Sequence, residues 1–268
     1  MIIFVHIPKC AGTSFSKMIE SNCKNKFQHV HEIEDWSSSN QDIYQHWLMG
    51  KQIDLNPDYC HSHFCHGFHK FFDTEDYDYV TFLRSPVSRV KSAIRFNAAR
   101  VEKKGNPGIW ADDKFCDLFS QYKKNKNSYN FIEKLIENNI MCNQMTKQLS
   151  GFANLENISL TKELKRSAIW FPPYFHEKKA YSEEQMEIML QCAIDNLKSY
   201  SFIGLQEDMK GSLKRFKNAF PKVKTEPVYD KLKSTNNKQF NFKEEDIELL
   251  EEMNKYDIRL YEAARELI

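Results

Sequence analysis

The 268-residue sequence predicts an α/β fold in three layers, a central parallel sheet flanked by helices, built as a single domain over residues 1–268. Three observations predict it. Two short apolar runs, at residues 2–5 and 79–83, each lead through a tight loop into a segment with helical apolar spacing. A further strand-like run at 201–205 is again followed by a helical pattern. Strand, loop and helix repeated in this way require crossover connections, which give parallel strands with helices over the faces. A composition of 41% hydrophobic residues in a chain of this length supplies a core that needs no staples.

The elements follow in order. Ile2, Ile3, Phe4 and Val5 form a buried strand closed by Ile7-Pro8 and the small residues Cys10, Ala11 and Gly12. Beyond it Phe15, Met18 and Ile19 recur at helical spacing, with Thr13 or Ser14 suited to the N-cap. Tyr79, Val80, Thr81, Phe82 and Leu83 form a second strand; Arg84-Ser85 is a tight loop, and Pro86 stands where a first helical turn tolerates it. The helix after Pro86 carries Val87, Val90, Ala93, Ile94 and Ala98 inward and ends before Gly105-Asn106-Pro107-Gly108. Residues 109–148 read as helical, with Phe131, Ile132, Leu135 and Ile136 on one face. Residues 183–197 form a long amphipathic helix with Met186, Met189, Leu190, Ala193 and Leu197 inward. A strand at 201–205 leads to a helix through Met209, Leu213 and Phe216, the polar stretch 222–241 is a surface loop, and one helix at 244–267 closes the chain.

Lys and Arg total 38 against 37 Asp and Glu, a formal charge of +1, so no global field attracts nucleic acid or anionic membrane. Anion recognition must therefore be local. No apolar run reaches the roughly 18 residues of a membrane span. The start Met1-Ile2-Ile3-Phe4-Val5-His6 lacks the basic leader and cleavage site of a secretory signal, so a cytoplasmic location is expected. The seven cysteines are odd in number and scattered, which reads as reduced, mostly buried thiols and not as a disulfide scaffold.

Pro8-Lys9-Cys10-Ala11-Gly12-Thr13-Ser14-Phe15 lies between a strand and a helix, where backbone N–H groups and the helix dipole make an anion site. Gly12 permits close backbone approach, Thr13 and Ser14 add hydroxyls, and Lys9 adds a point charge. The nucleotide-triphosphate loop G-x-x-x-x-G-K-[ST] differs from this one: its first Gly is missing, Lys9 precedes Gly12, and Arg84 stands where a metal-holding Asp belongs. Those departures argue against magnesium-dependent phosphoryl transfer, although an ATP-using kinase of this P-loop-like class is the alternative.

The segment from Phe4 to Ser14 resembles the 5′-phosphosulfate loop of carbohydrate sulfotransferases, in particular the heparan sulfate 2-O-sulfotransferase-like group, which reads approximately I-P-K-T-A-G-T-S; Cys10 replaces the usual Thr. The resemblance implies 3′-phosphoadenosine 5′-phosphosulfate (PAPS) as donor, no metal, Lys9 in catalysis, and contacts from Lys9, Cys10, Ala11, Gly12, Thr13, Ser14 and Phe15. Arg84-Ser85-Pro86-Val87-Ser88-Arg89-Val90-Lys91-Ser92 is similar to the family's 3′-phosphate motif R-x-P-x-x-R-x-x-S. That match assigns Arg84 and Ser92 to the 3′-phosphate, for which a guanidinium fork and a hydroxyl suit well, and leaves Arg89 a structural role.

Four of the nine histidines crowd into Cys60-His61-Ser62-His63-Phe64-Cys65-His66-Gly67-Phe68-His69. Three readings stand: a catalytic base, since neutral imidazole titrates in the useful range; a zinc or glycan-binding module without catalysis, although paired ligand spacing is missing; and structural histidines, preferred for His66 and His69. The family resemblance names His63 as the base with His61 as companion. It extends weakly to residues 143–151, 202–207 and 257–262, and to Lys231-Leu232-Lys233-Ser234-Thr235, where Lys233, Ser234 and Thr235 are expected to close over the donor. Because the first strand begins almost at Met1, the chain resembles the soluble members. The implied acceptor is a saccharide hydroxyl.

Overall fold

The computed structural model describes residues 1–23, 26–28, 58–63, 65–67, 69, 74–105, 113–125, 130–138, 141–151, 181–224, 240 and 242–268. One parallel sheet contains β1 (Ile2–Val5), β2 (Lys26–Gln28), β3 (Tyr59–Ser62), β4 (Asp78–Leu83) and β5 (Phe202–Leu205), in the order β2-β3-β1-β4-β5. The helices among the described residues are α1 (Gly12–Glu20), α2 (Pro86–Lys104), α3 (Asp113–Lys124), α4 (Phe131–Glu137), α5 (Gln144–Ser150), α6 (Glu183–Lys198), α7 (Met209–Ala219), α8 (Glu244–Met253) and α9 (Lys255–Glu266). This is the P-loop-like α/β arrangement that the strand–loop–helix pattern predicts. No helix among the described residues is long and apolar enough to cross a membrane.

The topology decides where chemistry can be assembled. From β1 the chain adds β2 and β3 on one side, then crosses over to place β4 and β5 on the other. In register, Val5 lies opposite Ser62 on β3 and Thr81 on β4. Since all strands run the same way, the loops after β3, β1 and β4 leave the same carboxyl edge side by side, at the reversal of strand order where α/β sheets bind ligands.

The inner strands are covered on both faces, which is why they read as near-continuous apolar runs. Phe15 of α1 anchors the layer above them, its ring meeting Phe4, Phe82 and Phe216 at centroid distances of 5.0, 4.7 and 4.9 Å. A second cluster joins Val90, Ile94 and Ala98 of α2 to Phe115, Phe119, Phe131, Phe240 and Leu250.

Three sequence expectations change. The strands β2 and β3 were not expected: Tyr59-Cys60-His61-Ser62 has no β-branched residue, and its pairing with β1 on one side and β2 on the other makes it a strand. The single closing helix is two helices, because Asn254 leaves helical geometry (φ −120°, ψ 24°) while its side chain accepts from Asn143 N–H at 3.1 Å and donates to Leu250 O at 3.0 Å. The N-cap of α1 is Ala11 in the left-handed region, so Thr13 and Ser14 fall inside the first turn. Cys10, Cys60 and Cys65 are buried.

Candidate active site

The loop after β1 turns through two left-handed residues that are not glycine, Lys9 (φ 69°) and Ala11 (φ 62°). Such backbone is uncommon. It is held by Cys10 N–H donating to Ile7 O at 3.3 Å and Ser14 N–H to Ala11 O at 3.2 Å. The N–H groups of Gly12 and Thr13 are left in the first turn of α1 with no backbone acceptor among the described residues. The side chains of Cys10 and Phe15 turn into the core instead of lining the loop. Burial pushes the Cys10 thiol up to about 12, so it stays protonated at neutral pH and is no nucleophile. Thr13 is exposed and Ser14 half-buried.

Gly12 has a role that the sequence reading assigned differently. A Cβ at this position would run into the imidazole of His6, the residue that follows β1. The missing side chain therefore lets α1 begin directly against that ring. Gly12→Ala is expected to cost about 1–3 kcal/mol through overpacking, seen as an earlier urea-unfolding midpoint. An unchanged midpoint would mean that the ring yields without strain.

Two cations meet between this loop and the one after β4. Arg84 Nη1 donates to Lys9 O at 3.3 Å, and Arg84 Nε is buried with no acceptor among the described residues. The Lys9 ammonium lies 4.2 Å from the centroid of the Phe96 ring on α2. Burial, then the neighbouring Arg84 guanidinium, pull the Lys9 ammonium down to about 8. Among the described residues no carboxylate pairs with either cation. Ser92 stands one helical turn before Phe96, hence on the face of α2 that the Lys9 ammonium covers. Lys9 and Arg84 thus meet beside the start of α1.

Beside it stand three imidazoles. Side chains alternate along strands, so Phe4 and His6 share a face with their parallel neighbours His61 and His63. The His6 and His63 rings are 4.3 Å apart between centroids, and His6 and His61 are 5.6 Å apart. His63 is 1% exposed, with Nδ1 2.6 Å from His6 O. A carbonyl only accepts, so Nδ1 carries the proton; in the neutral ring Nε2 is then the basic nitrogen. His61 is buried between Phe4 and Tyr59, with Nδ1 3.6 Å from Glu20 Oε1 on α1. Sequence reasoning overlooked His6, whose signal was the alternation Phe4-x-His6 facing His61-x-His63.

The remaining candidates fall elsewhere. Arg89 is fully buried, 3.8 Å from the Asp257 carboxylate, donating to Gln144 Oε1 at 2.7 Å and Met141 O at 3.2 Å; this is the structural role expected of it. Tyr79 Oη pairs with His69 Nδ1 at 2.9 Å and accepts from the N–H groups of Gly67 and His69 at 3.0 and 3.1 Å, so His69 helps to fix the loop after β3. Lys233, Ser234 and Thr235 lie outside the described residues. Among the described residues no three His, Cys, Asp or Glu side chains group to hold a metal ion.

A P-loop-like α/β sheet thus carries two cations and a cluster of imidazoles at one edge. The chain matches the family model described as "Sulfotransferase family" over residues 1–262 and belongs to that family. It is thus an enzyme of sulfate transfer, whose acceptor bears a hydroxyl. A comparison with curated proteins finds no match.

Proposed function

We propose that this enzyme transfers a sulfuryl group from PAPS to a hydroxyl of a saccharide, with His63 as the base. The observation that carries the reading is the juxtaposition, at one sheet edge, of the Lys9–Arg84 cation pair and an imidazole whose Nδ1 is tied to His6 O.

Each residue takes a distinct part. The N–H groups of Gly12 and Thr13 and the hydroxyls of Thr13 and Ser14 hold the 5′-phosphosulfate, while Arg84 and Ser92 hold the 3′-phosphate. The acceptor oxygen forms a bond to sulfur in line with the breaking bond between sulfur and the bridging oxygen. His63 Nε2 takes the hydroxyl proton as that bond forms. Lys9 steadies the charge that appears on the bridging oxygen of the departing adenosine 3′,5′-bisphosphate. Positioning and fixed electrostatics carry such a reaction.

Calorimetric titration with adenosine 3′,5′-bisphosphate, with ATP and magnesium as the comparison, tests the donor class. Selective binding of the bisphosphate is expected; binding of ATP–magnesium alone would move the enzyme to phosphoryl transfer. The same titration carries a pH signature. A lysine pulled down to about 8 loses its charge as pH rises past that value, and an anion binds the charged form, so affinity is expected to hold below pH 8 and to weaken above it with proton uptake on binding. Lys9→Arg should flatten the profile, since guanidinium stays charged. A flat wild-type profile to pH 9.5 would detach Lys9 from the donor.

A further inference from the structure

The helix α5 is buried over all seven residues although five of them, Gln144, Thr146, Lys147, Gln148 and Ser150, are polar. A polar helix is enclosed only where its groups are bonded to something specific. At its start the Asp257 carboxylate accepts from the N–H groups of Met145 and Thr146 at 3.1 and 2.8 Å; at its end Asn196 Nδ2 donates to Leu149 O and Ser150 O at 2.8 and 3.1 Å. Between these anchors Gln148 grips the histidine site twice. Its side-chain Nε2 donates to His6 O at 3.1 Å, and its backbone O accepts from His66 N–H at 3.2 Å.

His6 O is also the acceptor that fixes His63 Nδ1. His6 lies one residue past the end of β1, beyond the last sheet pairing at Val5. We propose that Gln148 is a positioning residue for His63: it locks the His6 peptide plane, and with it the tautomer and orientation of the imidazole. This rests on the reading of His63 as the base. Gln148 touches neither donor nor acceptor in this role, and its effect passes through one shared carbonyl.

The test pairs kinetics with a signal from the ring itself. Gln148→Met keeps the volume but removes the donor, while the backbone bond to His66 remains possible. It is expected to lower kcat at least about tenfold, since small misplacements at a reacting centre cost up to about 100-fold, with both KM values within about twofold of wild type. Long-range proton–nitrogen spectra of histidine-labelled enzyme, assigned with His63→Ala, are expected to show His63 protonated on Nδ1 in wild type and a mixture of tautomers in the variant. Wild-type kcat and tautomer in Gln148→Met, beside an inactive His63→Ala, would overturn the positioning role and leave the base in place. Loss of kcat with an unchanged tautomer would overturn it as well. Full activity in His63→Ala would remove the base and the inference together. Should Gln148→Met not fold, wild-type enzyme decides alone, because a neutral His63 ring protonated on Nε2 and bare at Nδ1 is incompatible with the shared carbonyl.

Discussion

His63→Ala is expected to lower kcat by at least about 100-fold, the scale of a lost general base, while the affinity for adenosine 3′,5′-bisphosphate stays within about twofold. The separation follows from geometry. His63 belongs to the loop after β3, whereas the cations and N–H groups proposed to hold the donor come from the loops after β1 and β4. An acceptor hydroxyl is far too weak an acid to ionise at neutral pH, so in the proposed reaction its proton leaves as the bond to sulfur forms. The Nδ1–H bond to His6 O keeps Nε2 unprotonated in the neutral ring and ready to receive it. His61→Ala should cost less, because its imidazole is held between Phe4, Tyr59 and Glu20. Steady-state kinetics together with calorimetry check both halves. A near-wild-type kcat in folded His63→Ala would take this residue out of the mechanism.

The parts legible in the sequence are those dictated by local pattern. The strands β1, β4 and β5 are apolar because their side chains enter the main core, and the heptad-like spacing from Met186 to Leu197 marks the buried face of α6. Pro86 and Gly105 bracket α2 because a first turn tolerates a fixed φ and a helix end in left-handed backbone favours glycine. What escaped was set by pairing at a distance. β3 is a strand because β1 and β2 flank it, Gly12 is required by a ring six residues upstream, and Asn254 breaks a helix to reach Asn143. The site shows the same division. Lys9, Arg84 and Ser92 are named by the family resemblance of their motifs, whereas the contribution of His6 is a carbonyl and a ring position, and that of Gln148 is a hydrogen bond across 142 residues. The hydrogen bond of Gln148 leaves no trace in residue type, and the ring of His6 leaves only the alternation Phe4-x-His6.

The largest expected effect on stability lies away from the reacting groups, at Asp257→Ala. Asp257 and Arg89 have no exposed side-chain surface, and the carboxylate does two things at once: it faces the guanidinium at 3.8 Å and accepts from two N–H groups at the start of α5. Removing it leaves a buried cation without its counter-charge and two buried donors without an acceptor. Breaking a buried pair in this way costs about 3–5 kcal/mol, a large share of the roughly 5–15 kcal/mol that stabilises a folded protein. Asp257→Asn keeps one acceptor oxygen for α5 but turns an amide N–H₂ toward the remaining groups, so its loss should be smaller. The neighbouring junction at Asn143, whose Oδ1 accepts from the N–H groups of Tyr256 and Asp257 at 3.0 and 3.2 Å, stays in place in both variants and keeps α9 seated. Urea unfolding of the three proteins should therefore rank wild type above Asp257→Asn above Asp257→Ala. An Asp257→Ala midpoint equal to wild type would show that Arg89 is stabilised by Gln144 and Met141 alone, and that α5 needs no acidic cap to hold Gln148 against His6.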